Sequence, residues 1–117
     1  MWTEGRLRSF ITSVIRKGFS RYPPKFEVLA LAKRGRKINE ITGRLAEHYE
    51  CNICKKEFVS TDVEVDHIKP VVDVSGWVSW DSFISNLFCS VDNLQIVCKK
   101  CHKIKSKQEN EERKKYK

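Results

Sequence analysis

Four cysteines of this chain fall into two C-x2-C pairs, Cys51/Cys54 and Cys98/Cys101, and the segments between and beyond them carry Asp66-His67, Asp92-Asn93-Leu94 and His102. A C-x2-C segment forms a tight knuckle that brings two sulfurs to about 2.3 Å from one ion, so the two pairs together complete a tetrahedral Zn²⁺ site. With the cysteines used for structure, Asp66, His67, Asn93 and His102 are left. One carboxylate, two imidazoles and an amide are the residue types of a second, hydrolytic metal centre.

Those side chains need elements to position them. Asp62-Val63-Glu64-Val65-Asp66 alternates polar and apolar, which predicts a half-buried strand ended by Pro70, and Leu94 to Cys98 reads as a second strand. Strict alternation sends Asp66 and His67 to opposite faces, so both can serve one site only if the strand ends or twists there. Lys100 to about Arg113 predicts a terminal helix, and Tyr49 to Phe58 a zinc-knuckle hairpin. Trp80, Phe83, Ile84 and Leu87 stand at helical spacing after Ser79, a good N-cap, and these aromatics read as core in preference to a base-stacking platform.

Upstream, Leu7, Phe10, Ile11, Val14 and Ile15 predict an amphipathic helix from about Thr3 to Lys17, ended by Gly18. Pro23-Pro24 starts a second short helix through Phe26, Leu29 and Ala30, stopped by Gly35. The run Lys33 to Lys37 is then a cationic loop, either a backbone contact or a solvated turn. His48 reads as a surface or satisfied histidine, Cys89 as a small core residue, and Arg113 to Lys117 as a frayed, solvated tail.

At 117 residues a single domain, 1–117, is expected, with a basic helical N-terminal arm over 1–45 and the zinc-stapled core over 46–117. Residues 1–50 hold 11 Lys/Arg against 5 acids, 51–98 hold 3 against 7, and 99–117 hold 9 against 3. Two basic arms around an acidic, cation-attracting centre suit a protein that grips a phosphate backbone on both sides of a reactive site. Arg34, Arg36 and Lys37 are the candidate DNA contacts of the first arm. Lys105, in the terminal helix, is either a fourth contact or a solvated lysine. No apolar h-region opens the sequence and the longest apolar run is the five residues Val28 to Ala32, so neither a signal peptide nor a membrane span is expected. The expected setting is the cytoplasm, where thiols stay reduced and paired cysteines favour metal over disulfide.

The motifs Cys51-x2-Cys54, Asp66-His67-Ile68-Lys69-Pro70, Asp92-Asn93-Leu94-Gln95 and Cys98-x2-Cys101-His102-x2-Lys105 together resemble the HNH endonucleases of the ββα-metal (His-Me finger) superfamily in their zinc-containing form. The nearest group by resemblance is the small phage-encoded HNH proteins, including free-standing homing-type nucleases. The resemblance implies an α+β fold, a ββα-metal core stapled by the four-cysteine zinc site and preceded by two short N-terminal helices.

It also implies roles. His67 matches the general base, and a neutral imidazole can take a proton from water at physiological pH. Asp66 and His102 match the ligands of one catalytic divalent cation. Mg²⁺ or Mn²⁺ suits them, and other divalent transition metals fit an oxygen-plus-nitrogen pair as well. Asn93 matches the residue that braces the loop carrying the base. The implied function is metal-dependent DNA cleavage leaving 3′-hydroxyl and 5′-phosphate ends, by a monomer or weak homodimer that nicks. In a phage, the host cytoplasm is the compartment. The alternative from another class is a non-catalytic, zinc-stapled DNA-binding accessory protein of a phage packaging complex.

Overall fold

The computed structural model describes residues 2–116. Helix α1 (Glu4–Gly18) begins where the Thr3 hydroxyl accepts the Arg6 amide at 3.2 Å, and it carries Glu4 in its first turn and Arg16 and Lys17 in its last, as the helix dipole favours. A 3₁₀ turn, Phe19–Arg21, leads into α2 (Pro23–Leu31), whose first helical position is the proline. Among the described residues, four helices and five strands follow the order α1, α2, β1 (Lys33–Ile38), β2 (Leu45–Glu50), β3 (Glu57–Val59), β4 (Val63–His67), α3 (Trp80–Leu87), β5 (Leu94–Cys98) and α4 (Lys99–Lys114). The mixed α+β fold agrees with the sequence reading. No helix of the described residues is long and apolar enough to cross a membrane.

The basic run is where the sequence reading fails. Residues 33–38 are a strand, not a loop, and α2 stops at Leu31, before Gly35. β1 pairs antiparallel with β2, and Gly35, at φ +97°, sits where the register shifts between Lys33 and Arg36. Glycine adopts that left-handed conformation without steric cost, so it serves an irregular strand where a helix stop was expected. All six residues of β1 are exposed, which suits an edge strand protected by charge. The pattern carried no strand signal because β1 buries no face. Its hydrogen-bonding partner, β2, begins after a connection of six residues.

The three-stranded sheet β1-β2-β3 continues through the knuckle Cys51–Lys56 between β2 and β3, where Lys55 takes φ 64° and donates to the Cys51 carbonyl at 2.9 Å. The second sheet is the pair β4-β5, with Asp66 opposite Gln95 and His67 opposite Leu94, and α4 packs on it. All five residues of β5 are buried, so this strand is the centre of the fold. Val28, Tyr49, Val63, Leu94 and Ile96 form one core cluster, and Val71, Phe83 and Leu87 another.

Two further readings change. Phe83 and Leu87 are core, but Trp80 and Ile84 remain 37% and 44% exposed, because α3 has one buried face only. Arg113 is not part of a frayed tail: its guanidinium donates to the carbonyls of Val72 at 2.7 Å and Asp73 at 3.1 Å, which anchors the loop after β4 to α4. Lys117 lies outside the described residues.

Candidate metal centre and hydrolytic site

The sulfurs of Cys51, Cys54, Cys98 and Cys101 all lie within 4.8 Å of one another. A tetrahedron with Zn–S bonds of about 2.3 Å has edges of about 3.8 Å, so a small contraction would seat the ion. The hairpin turn supplies one pair, and the junction of β5 with α4 supplies the other. Backbone amides already point at the sulfurs, Cys54 N–H to Cys51 Sγ at 3.5 Å and Cys101 N–H to Cys98 Sγ at 3.4 Å. Burial raises the Cys51 thiol, but the amides of Cys54, Cys98 and Ile53 outweigh it and bring it down to about 6. Cys101 is pushed up to about 12, first by sharing its proton with Cys98 and then by burial. Four soft sulfur donors gathered in so small a volume fit a zinc staple.

The second group gathers on the α4 side of β4. Asp66, only 9% exposed, accepts a hydrogen bond from Gln95 Nε2 at Oδ2, 2.8 Å away. Its Oδ1 faces His102 Nε2 at 3.8 Å. That is too long for a hydrogen bond. Two ligands each about 2.1 Å from a single ion stand at most about 4.2 Å apart, so Asp66 and His102 fit a shared divalent cation. His102 Nδ1 lies 3.0 Å from Glu64 Oε2, two residues before Asp66 on the same face of β4. A carboxylate there favours the Nδ1–H tautomer and leaves the Nε2 lone pair toward Asp66.

Lys105 is not a solvated lysine. Its ammonium lies 3.1 Å from Asp66 Oδ2, donates to Glu109 Oε2 at 2.8 Å and to the His67 carbonyl at 3.0 Å, and its side chain is 17% exposed. Burial lowers its pKa, but Glu109 and Asp66 outweigh that and hold it above the ordinary lysine value.

His67 ends β4 and turns the other way. Its Nε2 lies 2.9 Å from the Leu87 carbonyl oxygen, which can only accept, so Nε2 carries the hydrogen and Nδ1 keeps its lone pair when the ring is neutral. Phe19 packs on the ring, with centroids 4.9 Å apart. Asn93 clasps the loop just beyond: Oδ1 accepts from Lys69 N–H at 3.0 Å, Nδ2 donates to the Lys69 carbonyl at 3.3 Å, and the Asn93 carbonyl accepts from Ile68 N–H at 2.8 Å. The fold therefore brings Asp66 and His102 together and places His67 and Asn93 at the same strand end. Among the described residues no hydrogen bond or ion pair joins the side chains of Asp66 and His67.

The basic candidates sit apart from this centre, on β1. Arg34 approaches Glu50 at 3.4 Å and donates to the carbonyls of Leu31 and Lys33, while Lys37 pairs with Glu57. Arg36 forms no ion pair among the described residues. His48 is satisfied through Nδ1, 2.9 Å from the Ala46 carbonyl, and Cys89 is half-buried beside the first core cluster.

Residues that the motif reading gave no role also shape the site: Glu64, Phe19, Leu87 and Glu109. Only Glu64 had a signal, its spacing of two from Asp66 on a strand. Gln95 stood in a quoted motif, but its contact with Asp66 depends on cross-strand register.

Residues 51–108 match the family model described as HNH endonuclease. No curated protein and no solved structure matches the chain. The matched span begins at Cys51 and includes both cysteine pairs, the strand end with Asp66 and His67, Asn93 and His102, and through it this chain carries an HNH endonuclease domain over residues 51–108.

Proposed function

We propose that the protein is a DNA endonuclease that hydrolyses phosphodiester bonds with His67 as general base. The observation that carries this reading is the fixed imidazole: the Leu87 carbonyl holds Nε2–H at 2.9 Å and leaves Nδ1 as the only ring atom able to accept a proton from water. Asn93 positions that ring indirectly, by clasping the main chain at Lys69. Asp66 and His102 would hold a divalent cation, Mg²⁺ or Mn²⁺. When bound, such an ion neutralises charge building on the phosphate and on the departing 3′ oxygen.

Lys105 serves the centre from inside. Its ammonium ties Asp66, Glu109 and the His67 carbonyl together, so the ligand and the base residue keep a fixed relation although their side chains face apart. The basic strand, with Arg36 foremost, attracts the DNA backbone. One chain carries one His67, so a monomer nicks, and a double-strand break takes two events or two chains. Zinc at the four cysteines staples the β2-β3 hairpin to the β5-α4 junction and does not take part in the reaction.

Incubation of supercoiled plasmid with the protein and Mg²⁺ or Mn²⁺, beside a His67→Ala control and a sample without divalent cation, tests the reading. The expected product is nicked circle with 3′-hydroxyl and 5′-phosphate ends. Intact plasmid in the presence of either ion, from protein that carries its zinc and binds DNA, would sink it and leave a binding module.

A further inference from the structure

A cleft of about 500 Å³ opens beside His102, and three of its eight lining residues come from outside the matched family domain. Glu64 and His102 line one side, and Phe19, Lys25 and Leu29 line the other, with Ser60 at the rim. Phe19 belongs to this wall and also packs on the His67 ring at 4.9 Å, so the same side chain borders the cleft and the proposed base. The 3₁₀ turn and α2 thus complete a groove along β4 whose Phe19 wall abuts the His67 ring.

Among the described residues, Lys25 is the only lysine or arginine lining this cleft, and it is half-buried. The cation inside the centre, Lys105, already has carboxylate partners in Asp66 and Glu109. Lys25 has none among the described residues, and its ammonium lies 6.0 Å from the centre of the Phe26 ring. A lysine with no ion-pair partner among the described residues, lining one groove with His102, is free to take an anion from solution.

We infer that this cleft is the seat of the DNA strand at the reaction centre, with Lys25 contacting a backbone phosphate beside the scissile one and Phe19 and Leu29 packing on the apolar face of the sugar. The inference rests on the nuclease reading and adds that the N-terminal arm is part of the substrate site. DNA must cross an acidic region to reach His67, and Lys25 supplies the local positive charge that the acidic middle of the chain lacks.

The test is equilibrium binding of a short duplex over a series of salt concentrations without divalent cations, followed by steady-state cleavage with them. Lys25→Gln should flatten the log-log salt slope by about 0.9, the share of one phosphate contact, and raise KM. Lys25→Arg should keep slope and KM near wild type. Ser60→Trp adds bulk at an exposed rim position with no change of charge, and should weaken binding while zinc content and thermal midpoint stay at wild-type values. A wild-type slope and KM for Lys25→Gln, or wild-type affinity for a folded Ser60→Trp, would overturn the inference. Binding that responds to both variants in a protein that never cleaves would uphold the cleft and remove the nuclease reading, so the two failures are separable.

Discussion

Gln95 Nε2 donates to Asp66 Oδ2 at 2.8 Å, across the antiparallel pair that sets these two residues opposite each other. The other end of the same amide accepts from Asn52 Nδ2 at 2.8 Å, and Asn52 lies inside the knuckle between Cys51 and Cys54. One glutamine thus links the zinc knuckle to a ligand of the proposed catalytic cation. Replacing Gln95 with Leu leaves the buried Asp66 carboxylate with Lys105 alone as its close partner and should cost about 1–3 kcal/mol. Affinity for Mn²⁺ should fall by about 10- to 100-fold, as for other groups that orient a ligand. Denaturant unfolding and Mn²⁺ titration measure the two effects. Unchanged Mn²⁺ affinity in a folded variant would show that the bridge does not orient Asp66.

His67→Ala should lower the cleavage rate by about 10²- to 10⁴-fold. Zinc content and duplex affinity should stay near wild type, because the ring acts on water and its structural contacts are limited to Leu87 and Phe19. Single-turnover cleavage beside a binding isotherm checks this. Wild-type cleavage would remove His67 as the base.

Lys105→Met separates an organising lysine from a phosphate contact. The variant leaves Asp66 and Glu109 without their cation, so kcat should fall and stability should drop by about 1–3 kcal/mol. The salt slope of DNA binding should stay at the wild-type value. A slope flattened by about 0.9 would instead mean that Lys105 touches the DNA backbone.

On strand β1 the three basic candidates are not equivalent. Arg36→Gln should flatten the salt slope by close to one phosphate contact, about 0.9, and Arg34→Gln and Lys37→Gln by less, because Glu50 and Glu57 already hold those two charges. Lys37 holds the Glu57 carboxyl below its ordinary value, so that pair persists at neutral pH and is lost only as pH falls below 4.5, through the depressed pKa. Equal slopes for the three variants at pH 7 would contradict the ranking.

Removing the ion from the four cysteines should unfold the core. Structural zinc in small modules supplies on the order of 10 kcal/mol, comparable to the whole stability of such a domain. Metal analysis should find one tightly bound zinc per chain, and Cys51→Ser or a strong chelator should abolish the cooperative thermal transition. A metal-free protein that melts as wild type would overturn the staple.

Much of the site was legible in the residues themselves. The C-x2-C spacing defines a knuckle within a few residues, and the alternation of 63–67 and the apolar run 94–98 define two strands by local pattern, so Cys51, Cys54, Cys98, Cys101, Asp66 and His102 could be named before any fold was known. What tertiary structure alone decided depends on contacts between distant segments. Even the short-range pairing of β1 with β2 left no mark in the pattern, because β1 has no apolar face. The His67 tautomer depends on a carbonyl 20 residues away, and the Lys105 ammonium is engaged because α4 lies across β4. The cleft between Lys25 and His102 joins a helix outside the matched domain to one inside it. Local spacing fixes which atoms can bind a metal, whereas register, packing and burial fix where each of those atoms points.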